Sequence, residues 1–219
     1  MNTPVFKGHT GAIQDMEFSP FHENMLATAS ADATIRLWAM PEGPLTETTD
    51  KAEAILKGHS KKIMLMQWHP SAEMTIGSAG QAGGVRIWDV QMEKSIYNYD
   101  KNTAVPWSMA WNHNGSLVSL FTKEKKNHII DPRSSASVAV VDAHQGTKAQ
   151  RVQWKGAHNL LISVGTNDFN DREYMVWDPR DWSKPLVQTQ LDTNTQVCWT
   201  YYDDITNLFF VTNKGSTFT

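Results

Sequence analysis

Apolar and polar residues alternate along this chain in short runs, the period-two pattern of strands with one buried face. Runs such as Met109-Ala110-Trp111, Leu117 to Phe121 and Ile129-Ile130 are bounded by turn-forming residues, here Asn112 to Gly115 and Asp131-Pro132-Arg133. Gly11, Gly43, Gly83, Gly84, Gly115 and Gly165, with Pro20, Pro41 and Pro70, supply further bends. No segment of useful length carries a helical period. The pattern predicts an all-β protein of many short strands.

The runs also recur at a fixed interval. Gly8-His9-Thr10 opens a segment that closes at Ile35-Arg36-Leu37-Trp38, and Gly58-His59-Ser60 opens one that closes at Val85-Arg86-Ile87-Trp88-Asp89. In both, 29 positions separate the histidine from the tryptophan, an aromatic residue (Phe18, Trp68) is followed two places later by proline (Pro20, Pro70), and a hydroxyl residue (Thr28, Ser78) stands nineteen places after the histidine. A looser unit runs from His144 through Ser163 to Val176-Trp177-Asp178, with four extra residues in the polar stretch 167–172. Between these lies a unit with neither marker, whose Ile129 to Arg133 parallels Val176 to Arg180, with Asp-Pro-Arg identical. A fifth begins near Leu186 and stops at Thr219 before a closing Trp-Asp. The repeats fall at about 5–40, 53–90, 95–132, 137–179 and 185–219, the last truncated. The segment from Pro41 to Asp50 reads as an elongated loop between neighbouring blades.

A period of about 40 to 50 residues with Gly-His and Trp-Asp markers is that of WD40 repeats, each a four-stranded blade of a β-propeller. His9, Thr28, Asp32 and Trp38 stand where WD40 proteins place a buried hydrogen-bonded tetrad, indole to hydroxyl, hydroxyl to imidazole and imidazole to carboxylate. Such a set specifies register more than stability, because a made bond contributes about 1 kcal/mol and an orphaned member costs about 1–3 kcal/mol. His59, Ser78 and Trp88 repeat the set with Ala82 in place of the acid, so that histidine is expected to be less firmly held. His144, Ser163 and Trp177 repeat it again, leaving the first tetrad as the one read as complete. The unit between has lost the set and must rely on packing. A catalytic triad is the competing reading of His, Asp and hydroxyl together, but a catalytic site has no reason to recur once per structural unit.

Composition narrows the remaining classes. The formal charge of -3, from 20 Lys+Arg and 23 Asp+Glu, gives no bulk field for nucleic acid or an acidic membrane. No apolar run approaches a membrane span, and no leader-like pattern opens the chain. The lone cysteine, Cys198, lies between Val197 and Trp199 and reads as a buried small hydrophobe in a reducing, cytoplasmic setting. No cofactor or metal site is implied. Trp68, Trp111 and Trp154 hold one place in three successive units, which favours core packing over base stacking. Gly80 to Gly84 lacks the Lys-Ser/Thr of a phosphate loop and reads as a tight turn. Local cationic candidates for a partner surface are Lys61 and Lys62, directly after Gly58-His59-Ser60, and Lys123, Lys125 and Lys126 in a turn.

The repeats resemble one family in particular. VFKGHT (Val5 to Thr10), AILKGHSKKI (Ala54 to Ile63), IIDPR (Ile129 to Arg133) where a Trp-Asp is usual, AHQGT (Ala143 to Thr147), YMVWD (Tyr174 to Asp178) and QLDT (Gln190 to Thr193) are similar in order and spacing to coronins. That resemblance implies a seven-bladed WD40 propeller, of which about four to five blades are expected here. It also implies binding to filamentous actin and to the actin-nucleating complex, at the cytoskeleton of the cell cortex, without enzymatic activity. A WD40 scaffold or adaptor unrelated to actin is the alternative. Blades at either end of an open arc would expose apolar faces, so self-association through these edges is a further expectation.

Overall fold

The alternating runs form strands, and the short turns between them return each strand antiparallel to the one before. The structure, a computed structural model, describes residues 3–213 other than 102–103, 135–136 and 195. It divides into two compact units, Met1–Val105 and Pro106–Thr219.

In the first unit β1 (Ile13–Phe18), β2 (Met25–Ser30), β3 (Thr34–Ala39) and β4 (Ala54–Lys57) form one sheet in chain order. The second sheet, also in order, is β5 (Ile63–Trp68), β6 (Thr75–Gly80), β7 (Val85–Asp89) and β8 (Lys94–Tyr99). Register repeats residue for residue: Thr28 faces Met16 and Arg36, as Ser78 faces Met66 and Arg86. The sheets pack through Ala27, Ala29, Leu37, Met66, Trp68 and Ile76, all buried.

The second unit holds β9 (Pro106–Trp111), β10 (Val118–Thr122), β11 (Lys126–Ile130) and β12 (Ser137–Asp142) in one sheet. Its next sheet is β13 (Arg151–Lys155), β14 (Leu160–Thr166), β15 (Arg172–Trp177) and β16 (Val187–Asp192), followed by the pair β17 (Cys198–Asp203) and β18 (Leu208–Asn213). Phe121, Ile129, Val152, Trp154 and Leu161 are buried between the first two.

Sheets and sequence repeats are out of phase. Each four-stranded sheet takes three strands from one repeat and its outermost strand from the start of the next, so each of the first four repeats is clasped to its successor by backbone hydrogen bonds. This corrects the reading of Pro41 to Asp50 as a loop between neighbouring blades: it joins β3 to β4 inside the first sheet. Its far end is pinned to the opening segment, with Lys7 N–H donating to the Thr49 carbonyl and Thr49 N–H to that of Val5.

Adjacent sheets are also stitched along their first strands. Met66 N–H donates to the Asp15 carboxylate at 2.8 Å, Trp68 N–H to the Glu17 carboxylate at 2.7 Å, and the Trp68 indole to the Glu17 carbonyl at 3.1 Å. In the second unit the Ser108 hydroxyl accepts from Val152 N–H at 3.1 Å, and the Trp154 indole donates to the Ala110 carbonyl at 3.1 Å. Burial pushes both seam carboxyls up, Glu17 to about 7.

Candidate protein-binding site

The polar chains behind the loops hold those loops in place. In the first sheet the Trp38 indole donates to Thr28 Oγ1 at 2.8 Å, and Thr28 Oγ1 meets His9 Nε2 at 2.8 Å. His9 Nδ1 then lies 2.9 Å from Asp32 Oδ2. A carboxylate can only accept, so Nδ1 carries the proton and Nε2 receives the hydroxyl's. Asp32 in turn accepts from Thr10 N–H, Thr34 N–H and the Thr34 hydroxyl, tying the loop before β1 to the β2–β3 turn. Burial pushes the Asp32 carboxyl up, but the bonds from Thr34, His9 and Thr10 outweigh it and hold the group well below the usual range.

The second sheet keeps the indole and imidazole bonds, Trp88 Nε1 and His59 Nε2 each 2.8 Å from Ser78 Oγ. Ala82 offers no carboxylate. Burial and the neighbouring Arg86 guanidinium lower His59 to about 4, so the ring is neutral at physiological pH. It lies against Gly80, where a methyl group would come 2.6 Å from Nδ1.

His144 has a fuller set than its spacing suggests. Nε2 and the Trp177 indole each lie 3.0 Å from Ser163 Oγ, and Nδ1 lies 2.9 Å from Glu173 Oε1. The first tetrad is therefore not alone in having an acid. Glu173 sits on strand β15, four residues before the tryptophan, whereas Asp32 sits in a turn six before it. Its counterpart in the first sheet is Thr34, whose hydroxyl also reaches His9 Nδ1, at 3.3 Å. The longer glutamate side chain replaces that hydroxyl and the turn aspartate together. Gln188 holds its other oxygen at 2.9 Å. Burial raises Glu173, and the bonds from His144 and Gln188 reverse the shift downward.

In the unit without markers, Trp111 faces Val118, and Val118 faces Ile130, as Phe18, Leu26 and Trp38 do in the first sheet. Leu120 and Ile130 thus stand at the hydroxyl and indole positions, fully buried. Packing replaces the polar chain, and a buried Ser119–Asn127 hydrogen bond of 2.7 Å crosses between β10 and β11.

Each of these hydroxyls is buried, accepts from an indole and faces an imidazole. Cys198 is likewise buried; burial raises its thiol, and Arg172 Nη1 lies 3.7 Å away. Among the described residues no three His, Cys, Asp or Glu side chains are grouped to hold a metal ion, and no helix is long and apolar enough to cross a membrane.

What the tetrads present is a set of loops. In the first unit Lys61 and Lys62 lie in the loop between β4 and β5, and the Lys62 carbonyl accepts from Gln81 N–H in the tight turn before β7. In the second unit the loop 143–150 is the hub. Lys125 Nζ donates to the Gln145 carbonyl, Gly146 N–H donates to the Thr166 carbonyl at 2.6 Å, and the Thr147 hydroxyl to Asn170 Oδ1 at 3.0 Å. Lys123 is exposed in the same turn as Lys125, and Lys126 begins β11 with Asp142 3.5 Å away. Lys125 is thus half-buried and engaged within the fold, whereas Lys61, Lys123 and Lys126 are exposed to solvent.

The WD domain, G-beta repeat family matches residues 2–39 and 51–89. Coronin-A of Dictyostelium discoideum is 42% identical over 214 residues, 98% of this chain and 48% of that protein, and human Coronin-2B is 39% identical over 98% of this chain and 44% of its own length. Among solved structures, the WD40 domain of Toxoplasma gondii coronin superposes with a TM-score of 0.92 at 31% identity, covering 97% of this chain and 55% of that one. This chain belongs to the coronin family. As a coronin-family WD40 sequence it is a partial β-propeller, spanning about half the length of the curated relatives it matches.

Proposed function

We propose that this coronin-type segment is a protein-binding platform for filamentous actin, that its loop ends carry the contact, and that it catalyses no reaction. The carrying observation is identity with a coronin across nearly the whole chain, 42% over 214 residues. The tetrads support it, because they fix loops at the sheet ends without forming a reactive centre. The actin-nucleating complex is a second partner on this reading, and the cytoplasmic cell cortex the place of action. Of the cationic residues, Lys61 and Lys62 are the stronger contact candidates, since Lys125 already bonds within the fold and Lys126 faces Asp142.

Co-sedimentation of the chain with actin filaments tests this. Lys61→Glu with Lys62→Glu should weaken pelleting by roughly fivefold, as charge reversal at an interface rim does. Unchanged pelleting would remove the two lysines from the contact, and no pelleting of the unmutated chain would reject actin as its partner.

A further inference from the structure

The turn before β7 repeats the backbone of the turn before β3 but lacks its acid. Gly83 N–H donates to the Gly80 carbonyl as Ala33 N–H does to that of Ser30, and Gln81 N–H to the Lys62 carbonyl as Ala31 N–H does to that of Ala12. Ala33 and Gly83 both take the left-handed conformation, at φ +65° and +86°. Ala82 therefore stands where Asp32 stands, with a methyl group in place of the carboxylate.

Three N–H donors meet that carboxylate in the first sheet. Thr10 N–H lies 3.0 Å and His9 Nδ1 2.9 Å from Oδ2, and Thr34 N–H lies 3.0 Å from Oδ1. Their counterparts in the second sheet are Ser60 N–H, His59 Nδ1 and Gly84 N–H, and none of these has an acceptor among the described residues. His59 is nonetheless held as His9 is, with Nε2 2.8 Å from the hydroxyl on the second strand of its sheet. Buried or half-buried donors of this kind call for an acceptor.

Charge changes in the same sense. Where the first sheet has Gly11 and Ala12, the second has Lys61 and Lys62, so these loops exchange one acid for two cations. Asp100, at the end of β8, is the carboxylate whose field reaches His59, but Arg86 holds it at 2.8 Å and acts on the ring more strongly. Backbone N–H groups gathered beside cations are an anion-binding arrangement.

We infer that Ser60 N–H, Gly84 N–H and His59 Nδ1 form a carboxylate-binding site, which takes from a ligand the group that Asp32 supplies within the first sheet. A two-oxygen planar acceptor fits, because Asp32 serves the equivalent donors with one oxygen towards Thr34 and the other towards Thr10 and His9. An acidic side chain of a protein partner and a free small carboxylate both present this group.

Acetate titration of the chain near pH 7, against chloride at equal ionic strength, tests the site. The assigned His59 imidazole resonance should move saturably, with half-saturation on the order of 10 mM, within the bound for so small a ligand. The unfolding temperature should rise above its value in chloride. Ala82→Asp, which supplies the carboxylate from within the chain, should remove both responses. A terminally blocked Gly-Asp-Gly peptide separates the sources. Half-saturation about fivefold or more below that of acetate assigns the site to an acidic side chain, whose flanking backbone adds contacts; equal or weaker binding assigns it to a free carboxylate. A His59 resonance in the wild-type chain that acetate moves no more than chloride would overturn the site, whether or not the variant folds. So would an equal acetate response in folded Ala82→Asp.

Discussion

At the scale of single residues, the fold is specified by which polar atom finds which partner. Glu173 is the clearest case, with His144 on one oxygen and Gln188 on the other. Glu173→Ala should cost about 1–3 kcal/mol, the penalty of orphaning buried partners, read as a lower urea midpoint. Ala82→Asp tests the converse. It places the missing acid beside His59 and should stabilise the chain by about 1 kcal/mol while raising the His59 pKa from about 4. In the present sequence His59 stays neutral when folded, but in the unfolded chain it takes up a proton near pH 6.5. Its contribution is therefore whole above pH 6.5 and lost as pH falls towards about 4. The difference in urea midpoint between wild type and Ala82→Asp should shift across that window; a constant difference would contradict the assignment. Histidines, hydroxyls and tryptophans were legible because they recur at equal spacing. Glu173 was not, since an acid supplied by a strand keeps no fixed spacing relative to one supplied by a turn.

At the scale of elements, stability depends on how sheets are closed and stitched. The two Asp-Pro-Arg segments recur as identical turns, in which proline presets the second position. Arg133 and Arg180 fold back to fork the aspartate two residues earlier, with Nε to Oδ1 distances of 2.9 Å in both. The motif was visible in the sequence, but its self-contained clasp was not, because spacing does not show where an arginine turns. The same holds for the phase offset between repeats and sheets: strand pattern identifies strands, whereas pairing of each repeat's opening strand with the previous sheet is a long-range choice. The β1–β5 seam is the most pH-sensitive of these joints. Glu17 is raised to about 7 by burial, with Asp15 beside it on β1 and the N–H of Trp68 facing it from β5. A raised carboxyl favours the fold at low pH, and that contribution is lost as pH rises from its unfolded value near 4.5 to about 7. Glu17→Gln should flatten that slope and raise the unfolding temperature above pH 7; an unchanged slope would place the titration elsewhere.

At the scale of the whole molecule, unlike faces have unlike fates. Apolar side chains of β1, β17 and β18 are exposed, so multi-angle light scattering of the chain should give a mass above one copy. Met16→Lys with Phe18→Lys should return it towards one copy, whereas a single-copy mass for the unmutated chain would contradict self-association. Within each unit the loop ends are polar and tied by hydrogen bonds, with Lys61 and Lys62 on the first unit's loops and Lys123 and Phe169 on the second's. Lysines can be noted from sequence alone; Phe169 could not, since nothing in a polar stretch tells whether its one aromatic ring folds inward or is held outward. The most direct test of a protein-binding platform for actin is the isotherm of the purified chain on filaments at increasing filament concentration. Saturable pelleting, weakened by salt as rim charges are screened, is expected. A chain that stays in the supernatant at every filament concentration would contradict it.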